Sequence, residues 1–148
     1  LLPICVFFGL KNFGFRKYTC VFGSLVSVAF LFIEAFNIYG GNFPSTLAGE
    51  FSYSFAFAIF FLFIGTLYRG VLDNKYLFFN ILLLSLMVLS HPFSVMVAVI
   101  YGVCLIFLEK KYLERLKYIG FVFGGSFLLT SFFSIPFLIN HSYVSVMN

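Results

Sequence analysis

The sequence predicts an all-α fold, a polytopic transmembrane helix bundle of about five spans plus a truncated one. This prediction depends on the composition, the lengths of the apolar runs and the positions of the cations. Of the 148 residues, 62% are apolar and only 9% are charged, whereas a soluble domain carries roughly 25% charged residues. The composition excludes an ordinary water-soluble fold, and it excludes disorder because so apolar a chain gains enough from burial to order itself.

Apolar runs define the predicted helices, because a helix needs about 20 apolar residues to span a membrane. The longest run, residues 76–108, exceeds one span and divides at His91-Pro92, since Pro breaks a helix interior but is tolerated at a first position. Pro136 is expected to close the last helix. The predicted helices are, in chain order, the truncated segment 2–10 and the segments 18–36, 51–68, 76–90, 92–108 and 118–135.

The cations support this layout and orient it. All nine Lys and Arg residues fall in the predicted connections at about 11–17, 69–75 and 109–117. These connections lie on one side if each apolar segment crosses once, and the positive-inside rule makes that side cytoplasmic. Without the break at His91-Pro92 the last connection would move to the other side. The segment 109–118 is expected to form a short interfacial helix on the cytoplasmic side, where anionic lipids favour it.

Composition and motifs exclude several classes of function. The cations do not form one patch on a soluble surface, so no nucleic-acid partner is expected. The three cysteines are isolated within apolar stretches, which argues against a disulfide framework or a zinc site. Because the chain opens on Leu1 inside an apolar run, we expect residues 1–148 to be a single transmembrane domain that is a fragment of a longer membrane protein.

The loop 37–50, on the side opposite the cations, is the first place where substrate contacts are expected. Asn42, Ser45 and Thr46 supply short hydrogen-bonding side chains just before a membrane helix. The alternative interpretation is a plain turn in which Ser45 or Thr46 caps the following helix. The residue types fit both interpretations.

Three titratable residues on the same side are candidates for chemistry. Glu50 begins a helix with Tyr53 and Ser54 on its face, and its carboxylate either is favoured by the helix dipole or binds a metal or a sugar hydroxyl. Glu34 lies near the end of a predicted span, where ionisable residues are functional candidates. His91 either caps the second short helix or faces the same cleft as Glu50, as a metal ligand, proton carrier or phosphate contact.

A family resemblance adds to this picture. The run YGGNFPSTLAGEFSYSFAFAIFFLFIGTLYRGV (39–71), followed by LSHPFSVMVAVIYG (89–102), resembles archaeal and bacterial multi-pass proteins labelled 6-pyruvoyl-tetrahydropterin synthase-related. Nothing in the chain resembles the soluble zinc-dependent synthase itself. The group is usually placed near glycosyltransferases of the GT-C fold, many-helix membrane enzymes that use polyprenyl-phosphate-linked sugars on the outer side.

The resemblance implies a GT-C-like glycosyltransferase fragment in the plasma membrane of a prokaryote, with an extracytoplasmic active face. It would transfer a sugar from a polyprenyl-phosphate carrier to an acceptor, with membrane lipids and the lipid-linked sugar as partners. A divalent cation, Mg²⁺ or Mn²⁺, or a basic group would stabilise the departing phosphate. Such enzymes usually take their key acid from a first outer loop that this chain lacks, so the catalytic base is unknown. The supporting candidates are Glu50 and His91, and the expected substrate contacts are Asn42, Ser45, Thr46 and Glu34.

Two other functions stay open from the sequence. A transporter or flippase segment would be favoured by a buried Glu34 that faces a continuous cavity. A non-catalytic membrane scaffold would be favoured if Glu50 and His91 faced lipid or lay far apart. The sequence leaves open whether the protein is an enzyme at all.

Overall fold

The predicted all-α fold is confirmed. The computed structural model describes residues 1–35, 40–108 and 111–140, and those residues form helices and connections without any β-strand. Residues 37–39 of the predicted outer loop, and Lys110 of the third cationic connection, lie outside the described residues. The helices are α1 (Leu2–Asn12), α2 (Lys17–Leu31), α3 (Phe43–Leu47), α4 (Phe51–Asp73), α5 (Leu77–Ser90), α6 (Pro92–Ile106) and α7 (Tyr112–Ile139).

Two of these helices are long and apolar enough to cross a membrane, α4 with 23 residues and α7 with 28. The helices α1, α2, α5 and α6 are also apolar, but each is shorter than the roughly 20 residues that a span needs. Apolar helices thus form at all six predicted places, whereas a bundle of five spans is not confirmed.

The outward surface of the helices is apolar. Phe22 of α2, Met96 of α6 and Phe132 of α7 expose well over half of their side-chain area, and many other large apolar residues do the same. Soluble monomers rarely expose such large contiguous apolar patches. Lipid hydrocarbon solvates such an apolar surface well, provided that the backbone is hydrogen-bonded within helices, as it is here.

Helix α7 departs from the prediction at both of its ends. It starts at Tyr112 without a separate interfacial helix, because Arg115 and Tyr118 are buried and hold this segment against the bundle. It also continues through Pro136 to Ile139, so the predicted closure at Pro136 is wrong. Proline removes one helical hydrogen bond, but the Pro136 carbonyl still accepts bonds from the backbone and side-chain nitrogens of Asn140, at 3.0 and 2.9 Å. The last turn is therefore closed.

Helix α4 is the centre of the bundle and packs against α1, α5, α6 and α7. Its closest neighbour is α1, because Gly9 and Gly65 meet where the two helices cross. A Cβ atom on Gly65 would overlap the backbone of Gly9, and a Cβ atom on Gly9 would overlap the carbonyl of Phe61. Glycine at both positions lets the two backbones touch, as small residues do between membrane helices.

A buried hydrogen-bonded network joins α4, α5 and α7. The Thr66 hydroxyl donates to Oδ1 of Asn80 at 2.7 Å, and Nδ2 of Asn80 donates to the Tyr118 hydroxyl at 2.9 Å. The Tyr118 hydroxyl in turn donates to the carbonyl of Lys75. Asn80 is fully buried, and Thr66 and Tyr118 are nearly so. A buried polar network whose members are all bonded fixes how the helices face each other.

The same contacts bring the cations together at one end of the bundle. The network places the end of α4 beside the starts of α5 and α7, and Phe13, directly after α1, packs on Tyr68 with ring centroids 5.1 Å apart. We call this the cationic end. Its Lys and Arg residues among those described are Lys11, Arg16, Lys17, Arg69, Lys75, Lys111, Arg115 and Lys117.

The crossing of α1 and α4 can be tested with alanine. We expect Gly65→Ala to lower the free energy of unfolding by about 1–3 kcal/mol, the usual cost of overpacking. The control is Gly120→Ala on α7, where a Cβ atom has nothing within 4 Å and stability should not fall. The measurement is the denaturation midpoint in detergent micelles. Equal midpoints for the two variants would contradict the backbone contact.

The polar network can be tested at Asn80. We expect Asn80→Ala to cost about 1–3 kcal/mol, because it leaves buried partners unsatisfied. A double-mutant cycle with Tyr118→Phe should give a coupling energy of at least about 0.5 kcal/mol. Asn140→Ala, which removes an exposed amide bonded within its own helix, should change stability by less than about 0.5 kcal/mol. Strictly additive effects in the cycle would rule out the bond between Asn80 and Tyr118.

Candidate functional site

The break between α5 and α6 is confirmed. Helix α5 ends at Ser90, α6 begins at Pro92, and His91 between them is extended with φ −158° and ψ 121°. Proline favours an extended conformation in the residue before it and suits the first position of a helix. The His91 side chain makes no capping hydrogen bond to α6. His91 therefore does not have the capping role that was considered from the sequence.

The His91 ring packs against α4 instead. It lies edge-on to the Tyr53 ring, with centroids 4.9 Å apart and planes 66° apart, and Phe93 approaches the same tyrosine at 6.5 Å. Nδ1 of His91 is buried and has no hydrogen-bond partner. Because nearly all buried polar atoms in proteins are bonded, an unpartnered imidazole nitrogen is a position where a ligand can complete the bonding.

Glu50 lies at the same end of the bundle, directly before α4. It occupies the N-cap position, its side chain caps nothing, and it is half-buried. Its carbonyl accepts the backbone N–H of Ser54 at 3.0 Å, so the first helical turn is formed. Tyr53 therefore lies within one turn of Glu50 and contacts His91. The sequence named Tyr53 only as a neighbour of Glu50 and missed its place between the two candidates.

The predicted substrate contacts of the outer loop form a short helix, α3, that was not predicted. Asn42 caps it: Oδ1 of Asn42 accepts the backbone N–H of Ser45 at 3.0 Å. The capping role considered for Ser45 or Thr46 is therefore wrong. Both of their hydroxyls donate to the Asn42 carbonyl, and the Thr46 hydroxyl also lies 2.6 Å from that of Ser54.

Burial separates these three residues. Asn42 and Ser45 are almost completely buried, and Nδ2 of Asn42 donates to the carbonyl of Ile33 at 2.5 Å. Their bonds hold α3 to the segment that follows α2. Thr46 is half-buried. Direct contact of Asn42, Ser45 or Thr46 with a sugar or phosphate stays a prediction.

Glu34 lies beyond the end of α2. The helix stops at Leu31, earlier than the predicted residue 36, and the Glu34 side chain is exposed. It is next to Ile33, which accepts the bond from Asn42. The structure thus places Glu34 beside the base of α3, with no described contact to His91 or Glu50.

The described residues contain no group of three His, Cys, Asp or Glu side chains close enough to hold a metal ion. Glu50 and His91 supply one carboxylate and one imidazole at this end. The divalent cation implied by the resemblance stays a prediction, and a complete ligand set for it would need residues beyond those described.

Comparison with known proteins supports the family named from the sequence. The family model for the 6-pyruvoyl-tetrahydropterin synthase related domain, a membrane protein, matches residues 1–148. No match was found among curated proteins or among solved structures. The match covers the whole chain, beyond the region 37–102 that carries the resemblance. The chain therefore belongs to the 6-pyruvoyl-tetrahydropterin synthase related family of membrane protein domains.

Proposed function

We propose that the chain is part of a multi-pass, GT-C-like glycosyltransferase in a prokaryotic plasma membrane, which transfers a sugar from a polyprenyl-phosphate carrier to an extracytoplasmic acceptor. The observation that supports this proposal best is the His91 imidazole. Nδ1 of this imidazole is buried and unpartnered, and the ring contacts Tyr53, which lies one helical turn from Glu50. This end of the bundle lies opposite the cationic end.

An unsatisfied buried nitrogen costs about 1–3 kcal/mol, and a ligand that bonds to Nδ1 of His91 would remove that cost. A sugar hydroxyl or a phosphate oxygen would supply the missing partner. The Glu50 carboxylate can accept hydrogen bonds from hydroxyls of the sugar or the acceptor. Both residues therefore bind and orient the reactants in this proposal.

In the proposed reaction the acceptor oxygen attacks the anomeric carbon of the donor sugar. The bond from that carbon to the phosphate oxygen breaks, and its electron pair leaves with the polyprenyl phosphate. The acceptor proton goes to a base other than the two supporting residues, Glu50 and His91. Divalent cations such as Mg²⁺ or Mn²⁺ prefer oxygen ligands; Glu50 would offer one carboxylate to such an ion, whose charge would stabilise the leaving phosphate.

The two alternatives stay open, and each has an observation that would favour it. The transporter or flippase interpretation needs a buried Glu34 on a cavity, and the Glu34 side chain is exposed. The scaffold interpretation would be favoured if Glu50 and His91 faced lipid or lay far apart; of the two, the His91 ring packs on Tyr53.

The proposed topology can be tested by labelling single cysteines in cells. Cys5 and Cys20 are buried, so a Cys104→Ala background suffices. We expect an impermeant maleimide to label Ala48→Cys from outside and to leave Lys111→Cys unlabelled until the membrane is opened, because both positions are exposed at opposite ends of the bundle. Labelling of both positions from the same side would contradict the layout.

The proposed site can be tested by sugar transfer in the full-length protein, with a panel of polyprenyl-phosphate-linked donors. We expect Glu50→Gln and His91→Ala each to lower kcat/KM by about ten-fold or more, equivalent to about 1.4 kcal/mol of transition-state stabilisation. The denaturation midpoint should fall little, because neither side chain makes a capping bond.

The matched control for Glu50 is Glu114→Gln. Glu114 is an exposed acid at the cationic end, paired loosely with Lys111 at 3.7 Å, and its loss should leave sugar transfer unchanged. If Glu50→Gln and His91→Ala also leave transfer unchanged, neither residue belongs to the site.

A further inference from the structure

A concave region lies at the cationic end, where α1, α2 and α4 meet. It consists of two neighbouring clefts that share Lys11, with volumes of about 390 and 320 Å³. The first cleft is lined by Phe8, Lys11, Asn12, Gly14, Arg69 and Tyr76. The second is lined by Phe7, Lys11, Phe15, Lys17 and Cys20.

The two clefts carry an excess of positive charge. Among the described residues, no ion pair involves Lys11 or Lys17, and the carboxylate that pairs with Arg69 is that of Asp73. The Arg69 pair runs through Nε at 2.9 Å. Lysine ammonium and arginine guanidinium groups are the side chains that bind phosphate.

An apolar surface continues from Lys17 along α2. A shallow groove of about 490 Å³ is lined by Lys17, Tyr18, Val21, Phe22 and Leu25, and the last four residues are all exposed large side chains. A cation at the head of an apolar helix face matches the two parts of a phospholipid, since long basic side chains hold their charge at the headgroup level.

We propose that Lys11, Lys17 and Arg69 bind the phosphate of an anionic phospholipid, such as phosphatidylglycerol, whose acyl chain lies along the α2 groove. The net positive charge of the clefts selects a headgroup without a compensating cation. The apolar groove selects a lipid over a soluble phosphate. The site is independent of sugar transfer, because it lies at the opposite end of α4 from Glu50 and Tyr53.

The test is lipid titration of the purified full chain by native mass spectrometry. We expect Lys11→Gln/Lys17→Gln to weaken phosphatidylglycerol binding by about ten-fold or more, since each basic side chain near an anionic headgroup contributes roughly a factor of five. The control, Lys111→Gln/Lys117→Gln, removes the same charge from the same end of the bundle, outside the clefts, and should keep the affinity. Phosphatidylcholine should bind weakly to all three proteins.

Where both double variants fold, either of two results would overturn the proposal. An equal loss of affinity in both double variants would mean that general surface charge attracts the lipid. Displacement of phosphatidylglycerol by soluble glycerol phosphate would mean that the clefts bind a free phosphate.

All four lysines are exposed, and the denaturation midpoint verifies folding. Should the double variant not fold, Lys11→Gln alone should lower the affinity by roughly five-fold, and an unchanged affinity would reject the site.

Discussion

The bond between Thr66 and Asn80 is the contact on which the arrangement of this bundle depends. In a chain that is 62% apolar, hydrophobicity alone does not decide which face of a helix turns inward, because lipid solvates an apolar face as well as the core does. Polar side chains and close backbone contacts must make that choice. Asn80 does so for α4, α5 and α7, and the meeting of Gly9 with Gly65 does so for α1.

The register set at Asn80 also explains why His91 reaches Tyr53. From Thr66 back to Tyr53 is about 20 Å along α4, and from Asn80 forward to His91 is about 17 Å along α5, at 1.5 Å per residue. Because α4 and α5 are antiparallel neighbours, Tyr53 and His91, which lie at similar distances from the bond, are placed side by side. The chain then changes direction at Pro92, where α6 begins, and the His91 imidazole lies against the Tyr53 ring. A core contact thus positions the candidate site.

The sequence was sufficient for features that depend on local chemistry, and insufficient for features that depend on register. The all-α fold and the break at His91-Pro92 follow from composition and from proline stereochemistry. Helix α3 was missed because five residues are too few to show a period, and its stability comes from the Asn42 cap and the bond to Ile33. The contact of Tyr53 with His91 was out of reach because it depends on a tertiary bond between Thr66 and Asn80.

The two proposals place different phosphate chemistry at the two ends of the bundle. Glu50 and Arg69 are about 28 Å apart along α4, so no single phosphate can contact the His91 site and the cationic clefts. A donor phosphate bound at His91, as proposed, would meet no Lys or Arg from these parts of the chain, since residues 18–68 and 76–109 contain none. In the proposed reaction its charge would be balanced by a metal ion or by another part of the protein. In our two proposals the lysines at the cationic end are therefore available for a lipid, and loss of that lipid would leave sugar transfer at Glu50 and His91 intact.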